Sequence, residues 1–167
     1  MTIAETLLQD YDVEAKNTRT TLERIPTHLA DFKPHEKSMP MGRLTMHVAT
    51  LPRFATNILT LDKMDLAKEK FPPLVFESSE AALRTFDQVS SELRDTLKRQ
   101  SDADLERKWT MSFGDKVIAD APRSLLFRTM YFNHQIHHRA QLGVYLRLND
   151  LPVPPLYGPS ADDRMGF

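Results

Sequence analysis

Eleven prolines punctuate this 167-residue chain, and all but Pro52 fall between, or at the edge of, stretches patterned for helix. Proline fixes its own φ and lacks the amide hydrogen that a helix interior uses, so its positions mark where helices stop and start. The first stretch covers residues 2–25, with Thr2 as N-cap and Pro26 as stop. Ile3, Leu7, Leu8, Tyr11, Leu22 and Ile25 share a face there, although the middle of the stretch is polar. A loop with Pro34 and Pro40 leads to a second predicted helix over residues 42–61. Its inner face carries Leu44, His47, Val48, Leu51, Ala55 and Ile58 at helical spacing. Pro52 lies inside it and withdraws the hydrogen that would bond the carbonyl of Val48, which predicts a kink.

Pro72 and Pro73 mark an extended connector over residues 70–76. Ser78 or Ser79 then caps a third helix to residue 100, with Ala82, Phe86, Val89, Leu93 and Leu97 facing inward. Over residues 107–120 the period changes to two: Trp109, Met111 and Phe113 alternate with polar residues, Gly114-Asp115 turns, and Val117 and Ile118 follow. That pattern predicts a short hairpin. Pro122 suits the first turn of a fourth helix, carried to residue 149. Four long helices and short loops predict an all-α fold, a four-helix bundle over residues 1–150, with the hairpin between helices three and four. An extended Pro-rich tail, residues 151–167, is expected to pack on the same domain through Leu156, Tyr157 and Phe167, near the open side of any site in the bundle.

Composition removes several function classes. Lys and Arg total 22 against 23 Asp and Glu, so no overall field favours nucleic acid or an anionic membrane. No apolar run is long enough to span a bilayer, and Met1 to Asp10 lacks a secretory pattern, so a soluble, cytoplasmic protein is expected. With no cysteine, disulfides, thiolate metal sites and cysteine nucleophiles are excluded. Neither a dinucleotide-binding fingerprint nor a P-loop is present.

What remains is histidine. On the fourth helix a seam of Phe127, Tyr131, His134, His138, Gln141, Tyr145 and Leu148 puts two imidazoles where a bundle usually has Leu or Ile. His134 and His138 lie one turn apart on one face, the spacing at which two imidazoles can hold one ion. His47, between Leu44 and Leu51, would add a third ligand from a second helix. A lone inward histidine is more often a core residue bonded to a carbonyl; three on facing seams make a metal site the sharper reading. Three protein ligands leave a position for water or substrate, as in catalytic zinc sites, and imidazole equally admits nickel, iron or manganese. His137 shares a face with His134 too, but Tyr131, Gln141 and Tyr145 favour His138, leaving His137 as a flanking group. His28 and His35 are expected to be solvated. Gln135 stands where a zincin would carry its glutamate and cannot act as a general base.

The run from Asn133 to Leu142, with its H-x-x-x-H-R-x-Q-L pattern, and Tyr145-Leu146-Arg147 after it, resembles the C-terminal signature of the DinB family. The segment Leu44 to Val48 with Pro52 following resembles that family's first-histidine motif, and residues 152–162 resemble the extension of one branch. Ala140 stands where the family commonly has Gly. The resemblance implies His47, His134 and His138 as metal ligands, a divalent ion (zinc or nickel first, iron or manganese also open), and an intracellular homodimer. Leu126, Met130 and Val144, off the histidine seam, are candidate dimer contacts. Relatives of this kind include thiol-dependent S-transferases and an isomerase that uses a low-molecular-weight thiol, so a thiol cofactor and a small-molecule substrate are expected. A metal-dependent hydrolase with Asp162 or Asp163 folded over the site, and a non-catalytic metal-binding stress-associated dimer, stay open beside it.

Overall fold

The computed structural model describes residues 1–164. Three helices of equal length dominate the first two-thirds: α1 (Ile3–Leu22), α2 (Met41–Thr60) and α3 (Ser79–Lys98). α1 starts in a capping box, Thr2 Oγ1 accepting from the Glu5 amide while the Glu5 carboxylate accepts from the Thr2 amide. α3 starts on Ser78, whose hydroxyl accepts from the Ala81 amide at 3.1 Å. The five inner residues predicted for α3 are all buried. On α2 the aliphatic set is buried as predicted, whereas His47 is half-buried. α1 ends three residues earlier than its pattern suggested, and a short 3-10 turn, Thr27–Leu29, follows.

α2 runs through Pro52 as one helix. The Val48 carbonyl that proline leaves without an intrahelical donor accepts instead from Gln135 Nε2, at 3.1 Å. Near its start Gly42 is needed for close approach: a Cβ there would lie 2.9 Å from Phe76 Cβ.

The all-α expectation needs one correction, a three-stranded sheet. The hairpin is present as β2 (Lys108–Phe113) and β3 (Lys116–Pro122), antiparallel, turning at Gly114 with φ +57° and carrying an irregularity between Met111 and Ser112. A third strand, β1 (Lys63–Asp65), pairs parallel to β2 with Met64 opposite Met111. Three residues are too few to show alternation, so only the pairing partner reveals it. A one-turn helix, α4 (Asp102–Glu106), buries Leu105 within an otherwise charged stretch.

The last helical run is also not uniform. α5 (Arg123–Leu126) passes into a π-helical segment, Phe127–Phe132, before α6 (Asn133–Leu148) begins. Pro122 ends β3 and precedes the helix rather than forming its first turn. The residues that reach the core from α6 are Gln135, Arg139, Leu142, Tyr145 and Leu146, while Leu148 is 56% exposed. The predicted seam therefore leads into the core only at Phe127, Tyr131 and Tyr145. The wider π turns shift the angular register that a strict 4-3 count assumes.

α3 lies against α1 and α2, and α6 against the same two. Three apolar clusters result: one around Leu7, Leu93 and Phe127, one around Leu44, Phe86 and Leu142, and one joining Ile58, Trp109, Met111 and Leu126 beneath the sheet. Leu126 and Met130, expected as surface contacts, pack into or against the third; Val144 remains exposed. Among the described residues no helix is long and apolar enough to cross a membrane.

Two polar residues in the middle of α1, Glu14 and Thr18, face inward. Arg139, 1% exposed, donates to the Glu14 carbonyl and to Thr18 Oγ1, both at 3.1 Å, and pairs with the Glu14 carboxylate at 2.7 Å. Tyr157 from the C-terminal segment covers this pair, its hydroxyl bonded to Glu14 and to the Arg139 guanidinium. Asp162 holds Arg147 and the Val153 amide. Of the tail anchors, Phe167 lies outside the described residues.

Removing one partner of a buried ion pair leaves the other charge uncompensated, so Arg139→Met should lower unfolding free energy by about 3 kcal/mol in urea denaturation. Combining it with Glu14→Gln should recover part of that loss, because no lone carboxylate is then left.

Candidate metal centre

α2 and α6 carry the three histidines to one point because both helices bury the residue that follows each histidine. Val48, Gln135 and Arg139 are at most 1% exposed. One residue back along a helix is about 100° around it, so His47, His134 and His138 flank the core, each half-buried. Their candidate ligand atoms all lie within 4.8 Å of one another. His47 Nε2 and His134 Nε2 are 3.2 Å apart, a separation that suits a shared hydrogen or a shared ion. Metal–nitrogen bonds of about 2.1 Å place neighbouring ligand nitrogens about 3.0 to 3.4 Å apart. The His138 ring stands edge-on to His47, centroids 4.5 Å apart, and 4.6 Å from His134.

Electrostatics keep these rings as lone-pair donors. Burial pushes His47 down to about 4, with His138, His134 and Arg43 adding to the effect. Burial likewise lowers His134 and His138. Neutral imidazole is the form that binds a cation. For His138 the tautomer follows from its partner: Gln141 Oε1, 2.7 Å from Nδ1, can only accept, so Nδ1 carries the hydrogen and Nε2 is free. The other end of the same amide, Gln141 Nε2, donates to His137 Nε2 at 3.1 Å. His137 is exposed, and its Nε2 is occupied by that bond. His28, in the 3-10 turn, and His35, in the loop that follows, are both exposed.

A cavity of about 970 Å³ adjoins the cluster, with His47, His134 and His137 on its wall. Leu51, Phe54, Leu66, Leu74, Met111 and Met130 give it an apolar lining, and Arg53, Glu69 and Lys70 add charge. Much of one wall is the connector after β1, a segment read from sequence only as a link. Asp162 is engaged with Arg147, and neither Asp162 nor Asp163, the carboxylates expected over the site, lines this cavity. Glu69 is the carboxylate on the cavity wall. Sequence reasoning also passed over Thr18 and Gln135; the signal was there in polar residues set at the core positions of amphipathic helices.

A model of the DinB family matches residues 1–164. Among solved structures, a DinB-like protein from Bacillus cereus is similar at 24% identity and TM-score 0.69, over 92% of this chain and 97% of that one. A DinB-like protein from Bacillus subtilis is similar at 17% identity and TM-score 0.69, over 91% and 97%. At those identities the likeness is one of fold. No curated protein matches the chain.

Two outcomes are expected from titration. His47→Ala, His134→Ala and His138→Ala should each lose stoichiometric zinc binding in a chelator competition assay, and His137→Ala should keep it; the reverse for His137 and His138 would move the ligand set by one residue. In the metal-free protein, a free histidine takes a proton near 6.5 whereas folded His47 does so only at about 4. Between those values the unfolded chain binds more protons, so stability rises with pH across the window and falls as pH drops through it. His47→Leu should flatten that part of the urea-midpoint profile.

Proposed function

This chain belongs to the DinB family, and on that premise we propose that it is a metal-dependent enzyme of the thiol-dependent S-transferase kind. Its four long helical runs are read as a four-helix bundle, with His47, His134 and His138 holding one divalent ion. The observation that carries the reading is the juxtaposition of the histidine cluster with the cavity: His47 and His134 belong to both. A site meant only to staple helices would have no use for an adjoining space of about 970 Å³.

The donor set fits such an ion. Three neutral imidazoles leave coordination positions for exogenous ligands, and a divalent ion bound there supplies Lewis-acid chemistry that lowers the pKa of a thiol or water. Everything else falls to the chain. Gln141 orients His138 by accepting its Nδ1 hydrogen. The apolar wall of Leu51, Phe54, Met111 and Met130 excludes water and takes the hydrocarbon part of a substrate, while Arg53 and Lys70 suit an anionic end. Since the chain contains no cysteine, a sulfur nucleophile has to arrive as a low-molecular-weight thiol. Glu69 on the same wall supports a second reading, metal-assisted hydrolysis with that carboxylate as base. A homodimer would use the outer face of α6 at Val144 and Leu148, both more than half exposed.

The test is metal analysis of protein purified without chelator or a nickel column, then assay of zinc- and nickel-loaded protein with small thiols and an electrophilic chlorodinitroarene. Metal-dependent thiol consumption that disappears in His47→Ala is expected. Absence of thiol consumption together with metal-dependent ester hydrolysis would transfer the assignment to the hydrolase.

A further inference from the structure

The three residues that follow the three histidines are themselves joined. Val48 follows His47, Gln135 follows His134 and Arg139 follows His138. Gln135 Nε2 donates to the Val48 carbonyl at 3.1 Å and, more weakly, to Thr18 Oγ1 at 3.4 Å. Arg139 donates to the same Thr18 oxygen at 3.1 Å. A single buried polar layer thus lies directly behind the histidine cluster and touches the backbone or side chain next to each candidate ligand.

We infer that Gln135 is a positioning residue of this metal centre, and that Pro52 is what makes it one. In an uninterrupted helix the amide of residue 52 would occupy the Val48 carbonyl. Proline has no such hydrogen. Val48 is fully buried, so water cannot replace the missing donor. The carbonyl is therefore held open for a donor from outside α2, and the donor it receives is the side chain one residue beyond His134. That bond sets the height and rotation of α6 against α2, and with them the 3.2 Å approach of His47 Nε2 to His134 Nε2. The composition of the site agrees. Gln135 Oε1 is buried without a hydrogen-bond partner, a penalty that an aliphatic residue would avoid. What offsets that penalty is the bond its amide nitrogen makes to the Val48 carbonyl.

This rests on the reading of His47, His134 and His138 as ligands, and the experiment separates the two. Cobalt(II) serves as the probe, with affinity from competition against a chelator and geometry from its visible absorption. Gln135→Met keeps the size of the side chain and removes the donor; it should weaken cobalt binding about tenfold or more and alter the absorption envelope. Pro52→Ala supplies an amide to Val48 inside α2 that competes with Gln135 for the carbonyl, so alone it should weaken cobalt binding part of the way toward Gln135→Met, and parent-like affinity would overturn the role given to Pro52. The double variant decides. With the carbonyl satisfied inside α2, it should recover the thermal stability lost in Gln135→Met, yet still bind cobalt weakly. If it recovers cobalt affinity together with stability, Gln135 is only a partner for an orphaned carbonyl and the inference is overturned. Unchanged cobalt affinity in Gln135→Met overturns it too, with the ligand assignment intact. Failure of the parent protein to bind cobalt or zinc at all overturns both.

Discussion

A full charge held inside the helical layers sets the conditions that the rest of this molecule meets. Arg139 is 1% exposed, and an unpaired guanidinium at that depth would be prohibitive. Its partners come from two distant parts of the chain: Glu14 and Thr18 on α1, and Tyr157 of the C-terminal segment, whose ring lies 5.3 Å from the guanidinium carbon. The polar middle of α1, which weakens it as an isolated amphipathic helix, is the receptor for this charge. So the arginine chooses which face of α6 turns toward α1, and one residue back that choice leaves His138 at the margin of the core rather than in its centre.

The histidine cluster depends on that marginal position. Full burial among Leu and Phe would leave no room for a ligand exchanging with solvent, and full exposure would let the rings protonate near their ordinary value. Half-buried, His47 is held down to about 4 by desolvation and by its two neighbours, yet it still lines an accessible cavity. His138 stays neutral by burial, although the hydrogen bond it donates to the Gln141 oxygen favours the charged form, and Arg139 beside it points inward to Glu14. Adjacent residues on one helix turn thus hold opposite electrostatic states.

The small sheet contributes the other half of the site. β1 pairs with β2, and the Leu66 amide continues the pairing to the Ser112 carbonyl at 2.8 Å. The Asp65 carboxylate accepts from the amides of Ala67 and Gly114, tying the strand to the hairpin turn. From that anchor the chain runs on through residues 66–74, which line the cavity opposite the helices at Leu66, Phe71 and Leu74. The sheet positions a wall.

Features that depend on local chemistry were legible in the residues. The inner face of α3, a serine cap at Ser78 or Ser79, the hairpin turning at Gly114, the convergence of His47 with His134 and His138, and the carbonyl that Pro52 would orphan all follow from periodicity, turn chemistry or the absence of one hydrogen. Other features required knowing what lies opposite. Lys63–Asp65 is a strand only because β2 is beside it. The roles of Gln135 and Arg139 are visible only with Thr18, Glu14 and Val48 across from them. The π segment moved the fourth helix off its assumed register, since a one-dimensional count cannot register a local change of pitch. By itself, then, the sequence determined the four helical runs and the histidines' capacity for a metal, because backbone propensity and side-chain chemistry act over one or two turns. Only the tertiary structure decided which face of the last helix meets α1, where the cavity opens and which polar groups stand behind the site. Those are matters of satisfying buried charge and hydrogen bonds between residues as far apart in the chain as Glu14 and Arg139.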